Sequence, residues 1–148
     1  MMKQLLTIAI IFLSSVAGVR AQKSPVYAPH GIALDGYDPV AFFTHGKPVK
    51  GSSIYSFKWM NTTWQFADKT DLESFEKAPE KYAPQYGGYC AYGAAKGVKA
   101  SVEADTWTIM DGKLYFNYDR KVKDLWNQDR TKFIDLANKQ WPQIVNKE

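Results

Sequence analysis

Two short runs in the chain alternate between aromatic and polar residues. In IYSFKW (54–59) Tyr55, Phe57 and Trp59 fall on every second position, and in TWQFAD (63–68) Trp64 and Phe66 do the same. Side chains alternate across a strand, so each run puts its rings on one face. Met60-Asn61-Thr62 between the runs predicts a hairpin with one buried face. A second hairpin is predicted around Asp111-Gly112, between residues 106–110 and 113–118, because that dipeptide accepts the positive φ of a tight turn. Elsewhere the spacing is helical. DLESFEKA (71–78) sets Leu72 and Phe75 three apart behind a cap at Asp68 or Thr70. A helix after Asp119 turns Val122, Leu125 and Trp126 inward, and another after Thr131 turns in Phe133, Ile134, Ala137 and Trp141. Residues 91–96 are rich in helix formers and stop at Gly97, while residues 40–43, after the turns Asp35-Gly36 and Asp38-Pro39, read as a short strand or buried loop. Strands first and helices around them predict an α+β fold: a small antiparallel sheet of two hairpins with short helices and a C-terminal helical segment.

The beginning of the chain changes this picture only at its edge. Lys3, the apolar run from Leu5 to Leu13 and the small residues before Gln22 have the pattern of a signal peptide over residues 1–21. The run is shorter than the roughly 18 residues of a membrane span, so the expectation is an exported protein, periplasmic or secreted, with no stable membrane anchor. Residues 22–31 then form an extended arm, 32–142 a single domain, and 143–148 a C-terminal tail. The formal net charge of +4 falls when Lys3 and Arg20 leave with the leader. The remaining lysines are scattered, which excludes a nucleic-acid stripe and fits a monomer.

Candidate chemistry gathers at YGGYCAYG (86–93), which holds the single cysteine of the 148-residue chain. One cysteine makes no internal disulfide, so Cys90 is a metal ligand, a reactive thiol or a buried small hydrophobe. A glycine turn leading into a helix N-terminus at Cys90 favours thiolate, the form that binds soft metals. The leading expectation is a transition metal ion, Cu(I) foremost, bound by Cys90 in a ligand pocket walled by Tyr86, Tyr89 and Tyr92, with His45 and His30 as additional ligands. A thiol-redox protein using Cys90 and a structural or interaction domain with an inert cysteine are the alternatives. No CxxC, HxxxH, GxGxxG or phosphate-loop spacing is present, and no catalytic residue is assigned.

Three stretches, GYDPVAFFTHGKPVKGSSIYS (36–56), TWQFADKTDLESFEKAPEKYAPQYGGYCAYG (63–93) and WTIMDGKLYFNY (107–118), resemble the YHS-domain family, in particular a small exported branch with a GGYCA motif. The resemblance covers roughly residues 32–142 and implies a compact α+β unit related to metal-binding domains of metal-handling proteins. In the metal-binding branches Asp-Pro-Val is followed by a cysteine, and here by Ala41. Further cysteines of those branches stand where this chain has Ala67 and Asp71, so the family's thiol set is missing. Cys90 is the residue that matches the exported branch's own motif.

Overall fold

The computed structural model of the protein describes residues 24–147, and the expected signal peptide lies outside them. The fold is α+β. The first hairpin joins β1 (Ser52–Trp59) to β2 (Thr62–Phe66), antiparallel, with Phe57 opposite Trp64 and Trp59 opposite Thr62. Met60 and Asn61 both take positive φ, 49° and 54°, the geometry that closes a two-residue hairpin loop. The alternation does what it predicts. Trp64 and Phe66 are buried, Tyr55, Phe57 and Trp59 are half-buried on the same layer, and Ile54 faces solvent at 82% exposure. A register shift between Ser52 and Ser56 bends the start of β1.

The second hairpin, β3 (Thr108–Met110) and β4 (Lys113–Tyr115), turns at Asp111-Gly112 as expected. The two hairpins form separate two-stranded sheets rather than one. Their rings meet in a common core of Phe42, Trp64, Phe66, Phe75, Leu114 and Phe116, joined by Val26, Leu34 and Val40. Each such side chain, fully buried, contributes roughly 1.5–3 kcal/mol of transfer free energy before conformational entropy is charged against it.

Residues 40–43 depart from the expectation of a strand or loop. Ala41–Thr44 is one helical turn, α1, because Asp38 accepts hydrogen bonds from the amides of Val40 (2.8 Å) and Ala41 (3.2 Å) and so caps its start. Its other oxygen accepts from Ala67 N at 2.8 Å and ties this turn to the end of β2. Helix α2 (Lys69–Lys77) follows, capped by Asp68 through Asp71 N, and α3 (Pro79–Tyr82) starts on Pro79.

A second core lies beneath α4 (Ala91–Ala95), α5 (Arg120–Asn127) and α6 (Arg130–Ile144). The alanines Ala91 and Ala94 of α4 and Ala137 of α6 are fully buried, and these small side chains let the two helices pack closely. Trp126 of α5 is buried, but Leu125, expected inside, is 42% exposed. A helix of two turns covers the core with one narrow stripe, and Trp126 fills it. Helix α6 continues through the buried Ile144 into the segment read as a tail. The arm is likewise packed: Val26 is 1% exposed, Tyr27 N donates to Gly87 O at 2.9 Å, and the Tyr89 hydroxyl donates to Ser24 O at 2.8 Å. No helix of the described residues is long and apolar enough to cross a membrane.

Candidate functional site

Cys90 sits at the N-cap of α4, where the glycine turn and the helix were expected to place it. The backbone before it is unusual, with Tyr86 (φ 55°), Gly87 (φ 63°) and Gly88 (φ 89°) all left-handed. The thiol is 1% exposed. Its sulfur accepts from Gly93 N at 3.3 Å, and the S–H donates to Asn117 Oδ1 at 3.6 Å, a distance normal for the larger sulfur atom. Asn117 Oδ1 also accepts from Tyr92 N at 3.2 Å, so one buried amide joins thiol and helix start. Burial pushes the Cys90 thiol above its ordinary pKa. The amides around it, Gly93 foremost, pull the other way and offset only part of that effect.

The three tyrosines surround this turn without forming one pocket. Tyr86 donates to Asn138 Oδ1 at 3.0 Å and packs on Tyr115 and Trp141, fastening the turn to α6. Tyr89 points to the arm, and Tyr92 packs on Phe133 with ring centroids 4.9 Å apart. Among the described residues, Cys90 lines none of the three main cavities. Neither histidine forms a ligand group with it. His30 is exposed and pairs with Asp35, Nδ1 to Oδ1 at 2.9 Å, while His45 stands at the end of α1.

His45 belongs to a different constellation. Its Nε2 lies 3.9 Å from Asp71 Oδ2, and ligand atoms of His45, Asp68 and Asp71 all fall within 4.8 Å of one another. This is the one such group of histidine, cysteine or carboxylate ligands among the described residues. The local fold explains it. Asp71 and Phe75 are four apart on α2 and share a face, so burying Phe75 carries Asp71 inward to 4% exposure. Asp68 is held as the cap of the same helix, and α1 brings His45 across from the other side.

The electrostatics are unusual for a surface helix. Asp71 Oδ2 is buried and no amide or hydroxyl donates to it, while the Asp71 carboxyl lies within hydrogen-bond reach of the Asp38 carboxyl. Burial, then the adjoining Asp38 carboxyl and the charge of Asp68, push the Asp71 carboxyl up to about 7. Asp38 itself is fully buried and satisfied by three backbone amides. Those amides include Ala41 and Ala67. The three positions at which the resemblance leads to cysteines, Ala41, Ala67 and Asp71, are thus brought together around Asp38.

The sequence led to His45 as an additional ligand beside Cys90, and the structure sets it instead beside Asp68 and Asp71. In the sequence Asp68 reads only as a cap and Asp71 only as a lost cysteine. An Asp-x-x-Asp spacing at a helix start looks the same whether it caps a helix or holds an ion, so the chain offers no separate signal. No family model, curated protein or solved structure matches this chain.

Proposed function

We propose that this protein is an exported YHS-type binding module whose ion site is His45, Asp68 and Asp71 rather than Cys90. The observation that carries the reading is Asp71 Oδ2: a buried carboxyl oxygen to which no amide or hydroxyl donates, facing an imidazole and grouped with the Asp68 carboxylate. Leaving a buried polar atom unpaired costs about 1–3 kcal/mol, and a bound cation removes that cost. The missing thiols at Ala41 and Ala67 and the resemblance of the flanking stretches support a site whose place is kept while its donors have changed.

The donor set decides the class of ion. One imidazole and two carboxylates suit a borderline divalent ion, Zn2+ foremost, with Mn2+ or Cu2+ as neighbours in preference; Cu(I) asks for soft sulfur. Bound there, the ion would supply Lewis acidity, and His45, Asp68 and Asp71 would hold it, with Asp38 bracing Asp71. The thiol reading of the same module rests on Cys90 and is separable from this one.

Zn2+ titration of metal-free protein by calorimetry is the test. Binding is expected in the wild type and in Cys90→Ser, with a loss of at least about tenfold in Asp71→Asn and His45→Ala, since even supporting residues of a metal site are worth that much. Zn2+ affinity that survives Asp71→Asn, or that disappears with Cys90→Ser, overturns the assignment.

A further inference from the structure

A cavity lies away from the His45 group, between the arm, the turn Ala33–Gly36 and the segment leading into β3. It measures about 460 Å3. Tyr27, Tyr37 and Phe116 supply aromatic wall, and Asp35, Glu103 and Asp105 supply carboxylates; no lysine, arginine or histidine lines it. Tyr27 is fixed in place, its ring braced edge-on by Tyr89 with centroids 5.6 Å apart.

The charges around the cavity do not cancel. Asp35 pairs with His30 at 2.9 Å and with Lys50 at 3.6 Å, and Asp105 pairs with Arg120 at 3.0 Å. Glu103 makes no ion pair among the described residues. Two of the lining residues already act together on a cation: the Lys50 ammonium lies 4.2 Å from the centroid of the Tyr37 ring while pairing with Asp35. Aromatic faces attract cations through the ring quadrupole, and a nearby carboxylate adds the Coulomb term.

We propose that this cavity is a binding site for a small organic cation of the alkylammonium or quaternary ammonium class. The ligand's charged head sits against Tyr27, away from the Lys50 ammonium that already covers Tyr37, with Glu103 as its counter-ion, and its apolar part reaches toward Phe116. A volume of about 460 Å3 lies within the ordinary range for small-molecule sites. An anionic ligand is disfavoured by the Glu103 carboxylate, which no ion pair among the described residues offsets, and a purely apolar one gains nothing from it. The site uses none of His45, Asp68 or Asp71, so it stands or falls independently of the ion site.

The full chain is titrated with choline and, separately, with its neutral carbon isostere 3,3-dimethylbutanol, followed by two-dimensional amide NMR. Choline is expected to shift amides around Tyr27, Tyr37 and Glu103, with saturation, while the alcohol produces markedly smaller shifts. Glu103→Gln, an exposed change that leaves the fold intact, is expected to weaken choline binding roughly fivefold to tenfold, and Tyr27→Leu to weaken it in the same direction. Equal shifts from the alcohol, choline affinity unchanged in Glu103→Gln, or no saturable shift from choline at all would each overturn the proposal.

Discussion

Asp38 Oδ2 accepts a hydrogen bond from Ala67 N at 2.8 Å, across 29 positions of sequence. One fully buried carboxylate thereby closes the start of α1 and the end of β2 together, and it stands directly behind Asp71. Replacing it with alanine leaves two buried amides, Val40 and Ala41, and the half-buried amide of Ala67 without their acceptor. Asp38→Ala is expected to cost about 3–5 kcal/mol in chemical denaturation. Asp38→Asn keeps an acceptor toward Val40 and Ala41 but presents a donor to Ala67 N–H, and should cost less, about 1–3 kcal/mol. Equal stability of wild type and Asp38→Ala would remove Asp38 from its bracing role.

Asp71 gives the metal-free protein a pH dependence of definite sign. Its carboxyl is raised from the ordinary range to about 7, so the folded state holds a proton that the unfolded chain releases near pH 4. The stability this group contributes is complete below about pH 4 and is lost as pH rises through about 7. The groups facing it are Asp38, Asp68 and His45: the two carboxyls add to the effect of burial, and the His45 imidazole stands 3.9 Å from Asp71 Oδ2. Asp71→Asn mimics the protonated side chain. In chelator-treated protein at pH 8 it is expected to be more stable than wild type by about 1–2 kcal/mol, allowing for solvent screening on the His45 side. A variant less stable than wild type at that pH contradicts the raised carboxyl.

Cys90 should behave as a protected thiol. Its burial and its hydrogen bond to Asn117 oppose both access and ionisation, so modification by a chromogenic disulfide at neutral pH is expected to be at least about a hundredfold slower than in denaturant. The sign of linkage follows from the upward shift: the group contributes stability below the unfolded thiol's pKa of about 8.5, and that stability is lost as pH rises further. Native-state modification at the rate of a free thiol would revive the redox reading of this residue.

Gly87 marks the tightest backbone approach in the fold. A Cβ built there would lie 1.8 Å from Pro25 O, and the residue has φ 63°. Gly87→Ala must therefore push the arm away, giving up the Tyr27 N to Gly87 O bond and the burial of Val26. A loss of more than about 3 kcal/mol is expected, read as a lowered denaturation midpoint. Faster proteolysis near Val26 in this variant would place the damage in the arm.

The elements whose cause is local were legible in the sequence. Alternation gave the rings of β1 and β2, Asp111-Gly112 gave the second turn, and Asp68 and Asp119 stand as caps where helices begin. What was not legible depends on partners distant in sequence. Residues 40–43 are an exception with a local cause: Asp38 accepts from the amides of Val40 and Ala41, two and three positions on, a cap that its reading as a plain turn residue does not show. The pairing of His45 with Asp71 depends on how α1 meets α2, and a lone histidine in a loop has no spacing to reveal it. Tyr86 at φ 55° is a conformation that a bulky residue takes only when its surroundings impose it, here through Asn138 and Trp141.

The packed arm also bears on the order of assembly. Ser24 and Tyr89 are joined across 65 positions, and the arm's bond to Gly87 spans a similar length of chain. Closing so long a loop has an entropic cost that local hairpins do not bear, so β1–β2 and β3–β4 can form before the arm docks. The arm leaves the ribosome ahead of every strand it will touch, and its bonds to Gly87 and Tyr89 must wait until residues 86–89 have emerged. The seal over Val26 is therefore complete only when the last of these long loops has closed.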